Sequence, residues 1–155
     1  MKILKIIEGY LIAIMLLIIA LLIFVDVLAR NIISISSAGV EEISVILFIY
    51  IIFLTASVAT REGIHIEVDT LFNKLSHKNR IVTSLISEIL TVIFFITLTI
   101  IGIKLTMAHW LFTTPTYEFP MSVLSFPLPA SASLMAVYTV NKIIRLWGRY
   151  KELSR

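Results

Sequence analysis

The residues that could handle ions or protons are a few charged side chains within or beside long apolar runs. Asp26 and Arg30 are four residues apart, and Glu41 and Glu42 stand together before the second run. Four-residue spacing places two side chains on one face of a helix, which allows an ion pair. Charges within a membrane often mark an ion or proton pathway. Because Arg30 can neutralise the nearby acids, we favour a structural ion-pair cluster that joins the first two helices.

Glu88 is the most isolated charge of the third apolar run. Three hydroxyl residues share roughly its helical face, namely Ser84, Ser87 and Thr91. Small and hydroxyl side chains in a row allow helices to pack closely in lipid. We therefore predict that this stripe packs against another helix or another chain, with ion or proton handling by Glu88 as the alternative. Glu8 and Lys104 lie near enough to the expected membrane surfaces to reach water, and we assign them no role.

Catalytic and metal-binding patterns do not stand out. A haem held between membrane helices needs facing histidines, and His65, His77 and His109 all lie away from the middles of the runs. His65 and Asp69 have the spacing of a metal pair, but two ligands without a third make a weak site. With 0 cysteines, thiolate chemistry is excluded. We predict no enzyme activity, no catalytic, substrate-binding or metal-binding residues, and no cofactor.

Four apolar runs must position these side chains. The chain has 155 residues, of which 59% are hydrophobic and only 15% charged, whereas soluble domains average about 25% charged residues. An α-helix needs about 20 apolar residues to cross the hydrocarbon core of a membrane. The sequence therefore predicts an all-α integral membrane protein, a single domain over residues 1–155. Its predicted spans are residues 6–29, 43–60, 81–106 and 129–147.

Prolines define the start of the fourth span. Proline is tolerated in the first turn of a helix but not in its interior. We therefore begin regular helix at Pro129 and interpret residues 122–128, which include Pro127, as a bent lead-in. Between the second and third spans, residues 64–75 carry apolar side chains at helical spacing on one face. That pattern predicts a short amphipathic helix on the membrane surface.

The basic residues predict the orientation of the spans. Of the 13 lysines and arginines, all but Arg30 and Lys104 fall on one side of the predicted membrane. Because cytoplasmic segments are enriched in lysine and arginine, both chain ends are expected in the cytoplasm. Despite the isoelectric point of about 9.3, these charges form no basic stripe with interleaved aromatics, so no nucleic acid is expected. Membrane lipid is the partner they indicate.

The segment Arg-Glu-Gly-Ile-His-Ile-Glu-Val-Asp at 61–69 resembles a signature of the small membrane subunit of TRAP transporters, the tripartite ATP-independent periplasmic systems. In that family a first span ending in arginine is followed by a Glu-Glu pair and then by Gly-x-His-Ile-x-Val-Asp. The matching residues here are Arg30, Glu41, Glu42, Gly63, His65 and Asp69, and Pro127 and Pro129 resemble the family's entry to the fourth helix. The tryptophan that often precedes the Glu pair is absent.

The resemblance implies an accessory role in a bacterial inner membrane. A large polytopic subunit would carry the substrate and sodium sites, and a periplasmic binding protein would deliver an organic acid such as a dicarboxylate or a sialic acid. On this basis we hypothesise that Arg30, Glu41 and Glu42 organise the surface that faces the binding protein. The stripe around Glu88 would contribute to interhelical or intersubunit packing, and His65 with Asp69 would hold the amphipathic segment.

A self-sufficient exporter is the main alternative function. In such a protein, four-helix protomers form a homodimer, and a membrane carboxylate exchanges protons for a cationic substrate. That mechanism needs an acid near the middle of the first span. Glu8 is too close to the amino end and Asp26 too close to the outer surface, so the accessory role is favoured.

Overall fold

Five α-helices form the described part of the chain, which comprises residues 2–33, 38–62 and 77–153 of a computed structural model. They are α1 (Lys2–Ile33), α2 (Ala38–Glu62), α3 (His77–Ala108), α4 (Ser122–Ser125) and α5 (Pro127–Leu153). Four helical stretches in these residues are long and apolar enough to cross a membrane, which confirms the predicted fold class. The predicted amphipathic segment 64–75, with His65 and Asp69, and the neighbouring Gly63 lie outside the described residues.

All four long helices begin two to five residues before their predicted spans, and two of these starts concern residues singled out in the sequence. The second long helix begins at Ala38 rather than at residue 43, so Glu41 stands in its first turn, where the positive end of the helix favours a carboxylate. The fourth long helix begins at Pro127 rather than at Pro129. Both prolines fit because the first turn of a helix leaves its backbone N–H groups without partners inside the helix.

The long helices lie side by side in a row. Their main contacts join α1 to α2, α2 to α5, and α5 to α3. The described side chains of α1 include a single buried residue, Asp26, while α2 and α5 are covered on two sides. We call the end of this row that carries residues 109–126 the loop end, and the end near Glu62 and Leu153 the terminal end. The ion pairs of the described residues lie at one of these two ends or between neighbouring helices.

Helix α3 packs on α5 through a seam of regularly spaced residues. Side chains that are buried or half-buried recur at alternating steps of four and three residues, as in a coiled coil: Ile81, Leu85, Glu88, Val92, Phe95, Thr99, Gly102 and Thr106. At Gly102 the two helices nearly touch, since a Cβ atom added there would lie 3.0 Å from the backbone nitrogen of Pro129. Small residues permit this close approach.

The predicted hydroxyl stripe only partly coincides with this seam. Glu88 lies on the seam itself, Ser84 and Thr91 are half-buried beside it, and Ser87 is exposed. The hydroxyl of Thr91 donates to the backbone carbonyl of Ser87 at 2.9 Å. Interhelical packing is thus established for Glu88, while contact with another chain stays a prediction for the stripe.

Candidate functional site

Arg30 joins α1 to α2 at the loop end. Its Nη2 atom lies 3.1 Å from Asp26 Oδ2 and 3.1 Å from Glu41 Oε1. Asp26 is 8% exposed, so its charge needs a partner, because an unpaired buried carboxylate is costly. Glu41 is 67% exposed at its side chain, and a pair of that kind contributes little stability. The structure confirms the predicted pairing of Arg30 with Asp26 and Glu41, whereas Glu42, which the prediction included, is not part of it. Glu41 is left accessible to a partner.

Glu42 points away from this cluster and holds a small hairpin formed by residues 112–121. The hairpin is closed by two backbone hydrogen bonds of 2.8 Å, one from Met121 N to Phe112 O and one from Thr114 N to Phe119 O. Glu42 accepts a hydrogen bond from the hydroxyl of Thr114 at 2.6 Å. It also accepts from the backbone N–H groups of Thr116 at 2.9 Å and Tyr117 at 3.4 Å.

The adjacent residues Glu41 and Glu42 therefore have different structural roles. Glu41 belongs to the interhelical ion pair, and Glu42 acts as an anchor for a loop far along the chain. Nothing in the sequence of residues 112–121 indicated which acid would bind there. The available signal was a tight turn, marked by Pro115 and Pro120.

Two further contacts hold the hairpin and the short helix α4 to the row. The Tyr117 ring covers Gly39, where an added Cβ would clash with the Tyr117 hydroxyl oxygen. The hydroxyl of Tyr50 donates to the carbonyl of Val123 at 3.1 Å. The loop end is thereby attached to α2 by side chains from its first turns to near its middle.

His109 also has a structural contact. Its Nδ1 atom lies 2.5 Å from the Ser125 hydroxyl, which ties the 3₁₀ turn His109–Leu111 to α4. No group of three or more metal-ligating side chains occurs within residues 2–33, 38–62 and 77–153.

Glu8 and Arg61 form an ion pair between α1 and α2 at the terminal end. Their side chains are only 11% and 8% exposed. The Tyr138 hydroxyl on α5 donates to Glu8 at 3.4 Å, and the Arg61 guanidinium lies 5.9 Å from the Tyr138 ring centroid, within cation–π range. Our assignment of no role to Glu8 was wrong: the antiparallel helices place it opposite Arg61, so it is buried instead of extending to water.

Glu88 is paired with Lys142 across the α3–α5 seam, with 2.5 Å between Oε1 and Nζ. Both residues lie roughly three turns from the terminal ends of their helices. The side chains are 15% and 31% exposed. From the sequence, Lys142 was interpreted only as one of the basic residues near the carboxyl terminus. The available signal for the pair was that Glu88 and Lys142 lie equally far from the terminal ends of their helices.

The arrangement of these charges suits the rigid attachment of the helices to one another better than catalysis or proton transfer. The carboxylates of Glu8, Asp26 and Glu88 each meet a cation from an arginine or lysine. Two of these pairs and the Arg30–Glu41 contact cross between helices, so each helix of the row is joined to a neighbour by charge as well as by packing. A proton carrier needs instead an acid that can gain and lose its charge during the cycle.

Comparison with known protein families places this arrangement in context. A family model described as "Tripartite ATP-independent periplasmic transporters, DctQ component" matches residues 19–149. The matched region contains the Arg30 cluster, Glu42, the hairpin and the Glu88–Lys142 pair, whereas Glu8 precedes it. A search among curated proteins finds no match to the chain.

Proposed function

The chain belongs to the DctQ component family of tripartite ATP-independent periplasmic transporters, and on that premise we propose that it is the immobile accessory subunit of such a transporter. Its task is to hold a large polytopic subunit in the membrane and to help dock the periplasmic binding protein. The family is a transporter component and not an enzyme family. The cargo we propose is an organic acid of the dicarboxylate or sialic acid type, imported with sodium across a bacterial inner membrane.

The observation that carries this proposal is that charges in the spans are used to join helices. The Glu8–Arg61 pair joins α1 to α2, and the Glu88–Lys142 pair joins α3 to α5. Moving these helices apart would expose paired charges to lipid, which is costly. A fixed row of this kind suits a support against which a mobile subunit works.

The distribution of basic residues favours an orientation with the terminal end in the cytoplasm. The loop end then faces the periplasm and presents the hairpin with its anchor Glu42, beside the exposed carboxylate of Glu41. Trp110, Phe112, Tyr117 and Phe119 are all exposed there, as expected for an aromatic belt at the membrane surface. Arg30, Glu41 and the hairpin are the surface we assign to the binding protein.

The row has two broad flanks, one of which we assign to the large subunit. The exposed Ser87, with half-buried Ser84 and Thr91 beside it, gives α3 a less bulky surface than its aliphatic positions do. Small residues are typical of helix contacts in lipid. We therefore assign this part of α3 to the intersubunit contact, while Glu88 supports it from within the seam.

The homodimeric exporter is disfavoured by the same pairs. Its mechanism needs a titrating carboxylate in the first span, and both acids of α1 are matched by arginine: Glu8 by Arg61 and Asp26 by Arg30.

Copurification tests the proposed function. A tagged chain is extracted in mild detergent from its native host, and the proteins that remain bound are identified and quantified by mass spectrometry. We expect one large polytopic membrane protein in stoichiometric amount, and reconstituted uptake of an organic acid that requires both proteins and a binding protein. Recovery of the chain alone or as a homodimer, with cation export from vesicles, would overturn the proposal.

A further inference from the structure

A polar cleft of about 220 Å³ opens at the terminal end, between the last turn of α2 and the carboxyl-terminal half of α5. Arg61, Lys142 and Arg145 contribute three cations to its lining, and Glu62 contributes the one acid. Tyr138 and Asn141 add a hydroxyl and an amide. Ion pairing explains only part of this concentration of donors.

Arg61 is the group that indicates a ligand. Its side chain is 8% exposed, and Glu8 pairs with its Nη1 atom. Its Nη2 atom is buried and has no hydrogen-bond partner. A buried charged donor without an acceptor is destabilising. An anionic oxygen in the cleft would satisfy it, and the planar fork of a guanidinium is well suited to phosphate.

Within the lining of the cleft itself, three cations stand against one acid. Glu8 offsets Arg61, and Glu88 lies 2.5 Å from Lys142. Arg145 on α5 adds a further, exposed cation, and the acid Glu62 follows Arg61 at the end of α2. A phosphate group between Arg61 and Arg145 would therefore meet two guanidinium groups.

An apolar face beside the cleft identifies the source of the phosphate. Val137, Val140 and Ile144 are 56%, 42% and 63% exposed on α5. At spacings of three and four residues they share one helical side, next to Asn141 and Arg145. A soluble phosphate compound would leave this apolar face uncovered, whereas the acyl chains of a lipid would pack on it.

We propose that the cleft binds the phosphate group of an anionic phospholipid whose acyl chains lie along Val137, Val140 and Ile144. Basic pockets between membrane helices are a known way to hold such headgroups. The lipid would link α2 to α5 at the terminal end. This inference requires only a membrane and is independent of the transport role.

Lipid-dependent melting of the purified full chain tests the site. The delipidated protein in detergent is titrated with dioleoylphosphatidylglycerol, with dioleoylphosphatidylcholine and with sodium phosphate, and the midpoint of thermal unfolding is followed. We expect phosphatidylglycerol to raise the midpoint, because a ligand that binds only the folded state stabilises it. Phosphatidylcholine and inorganic phosphate should raise it far less.

Variants localise the effect. Arg145→Gln should weaken the apparent affinity for phosphatidylglycerol roughly tenfold, the value of one charged hydrogen bond. Lys104→Gln makes the same charge change at an exposed position of α3 near the loop end and should leave the affinity unchanged. Arg61→Lys keeps the charge but loses the second guanidinium nitrogen, and should weaken binding as well.

Three results would overturn the proposal. Equal stabilisation by both lipids would show that the phosphate site does not select anionic headgroups. Equal stabilisation by inorganic phosphate would make this a site for soluble anions. Equal losses in Arg145→Gln and Lys104→Gln would reduce the effect to diffuse attraction between a basic protein and anionic lipid.

Discussion

The carboxylate of Glu42 accepts a hydrogen bond from the hydroxyl of Thr114 at 2.6 Å, although the two residues are 72 positions apart in the chain. Through this contact the first turns of α2 determine where the hairpin of residues 112–121 lies. The neighbouring Glu41 takes no part in it and pairs with Arg30 instead. The two adjacent acids therefore offer a matched pair for mutation.

Glu42→Gln should loosen the hairpin, because an amide loses the charge that strengthens three hydrogen bonds. We expect faster amide hydrogen exchange at Thr116 and Tyr117, measured by mass spectrometry on the purified protein. Glu41→Gln is the control, and exchange in the hairpin should not change there. Equal exchange in both variants would contradict the anchoring role of Glu42.

Replacing Glu41 and Glu42 together by alanine should weaken transport by the reconstituted system while the large subunit still copurifies. The reason is that both acids lie at the loop end, away from the α3 surface assigned to subunit contact. Uptake of labelled substrate and the yield of complex measure the two effects separately. If the complex were lost, the proposed division between docking and assembly surfaces would be wrong.

Gly102→Val should lower the free energy of unfolding by about 2 kcal/mol, the typical cost of overpacking a tight contact. The added side chain would meet Pro129, whose backbone nitrogen lies 3.0 Å from the position of a Cβ atom. Gly9→Val is the control, since nothing lies within 4 Å of its Cβ position. Thermal unfolding in detergent measures both, and similar stabilities would show that the α3–α5 seam is not closely packed there.

Reversing one charge of the Glu88–Lys142 pair should destabilise the protein. Glu88→Lys places two cations together, at a cost of about 1 to 3 kcal/mol, because the partly exposed pair is screened less than a surface pair and more than a fully buried one. The double variant with Lys142→Glu should recover most of the loss. A double-mutant cycle from unfolding midpoints measures the coupling, and the absence of recovery would show that the pair does not hold α3 to α5.

Much of the fold could be predicted from local sequence. Each long apolar run is of a length that crosses a membrane, and backbone groups in lipid must bond within the same segment, so the four helices followed from composition and length. The Asp26–Arg30 pair was predictable for a similar reason, since both residues lie one turn apart on one helix. The resemblance at residues 61–69 pointed to the family that the comparison supports.

The partners of the other charges depended on which helices are neighbours. The sequence placed Glu8 and Glu88 on their spans and Arg61 and Lys142 among the basic residues of the cytoplasmic side, but apolar helices in lipid have no single buried face that would order them. The contacts of α1 with α2 and of α3 with α5 bring Glu8 to Arg61 and Glu88 to Lys142. The different partners of Glu41 and Glu42 also depended on the tertiary structure. Adjacent positions on a helix point in different directions, and here Glu41 points toward α1 and Glu42 toward the hairpin.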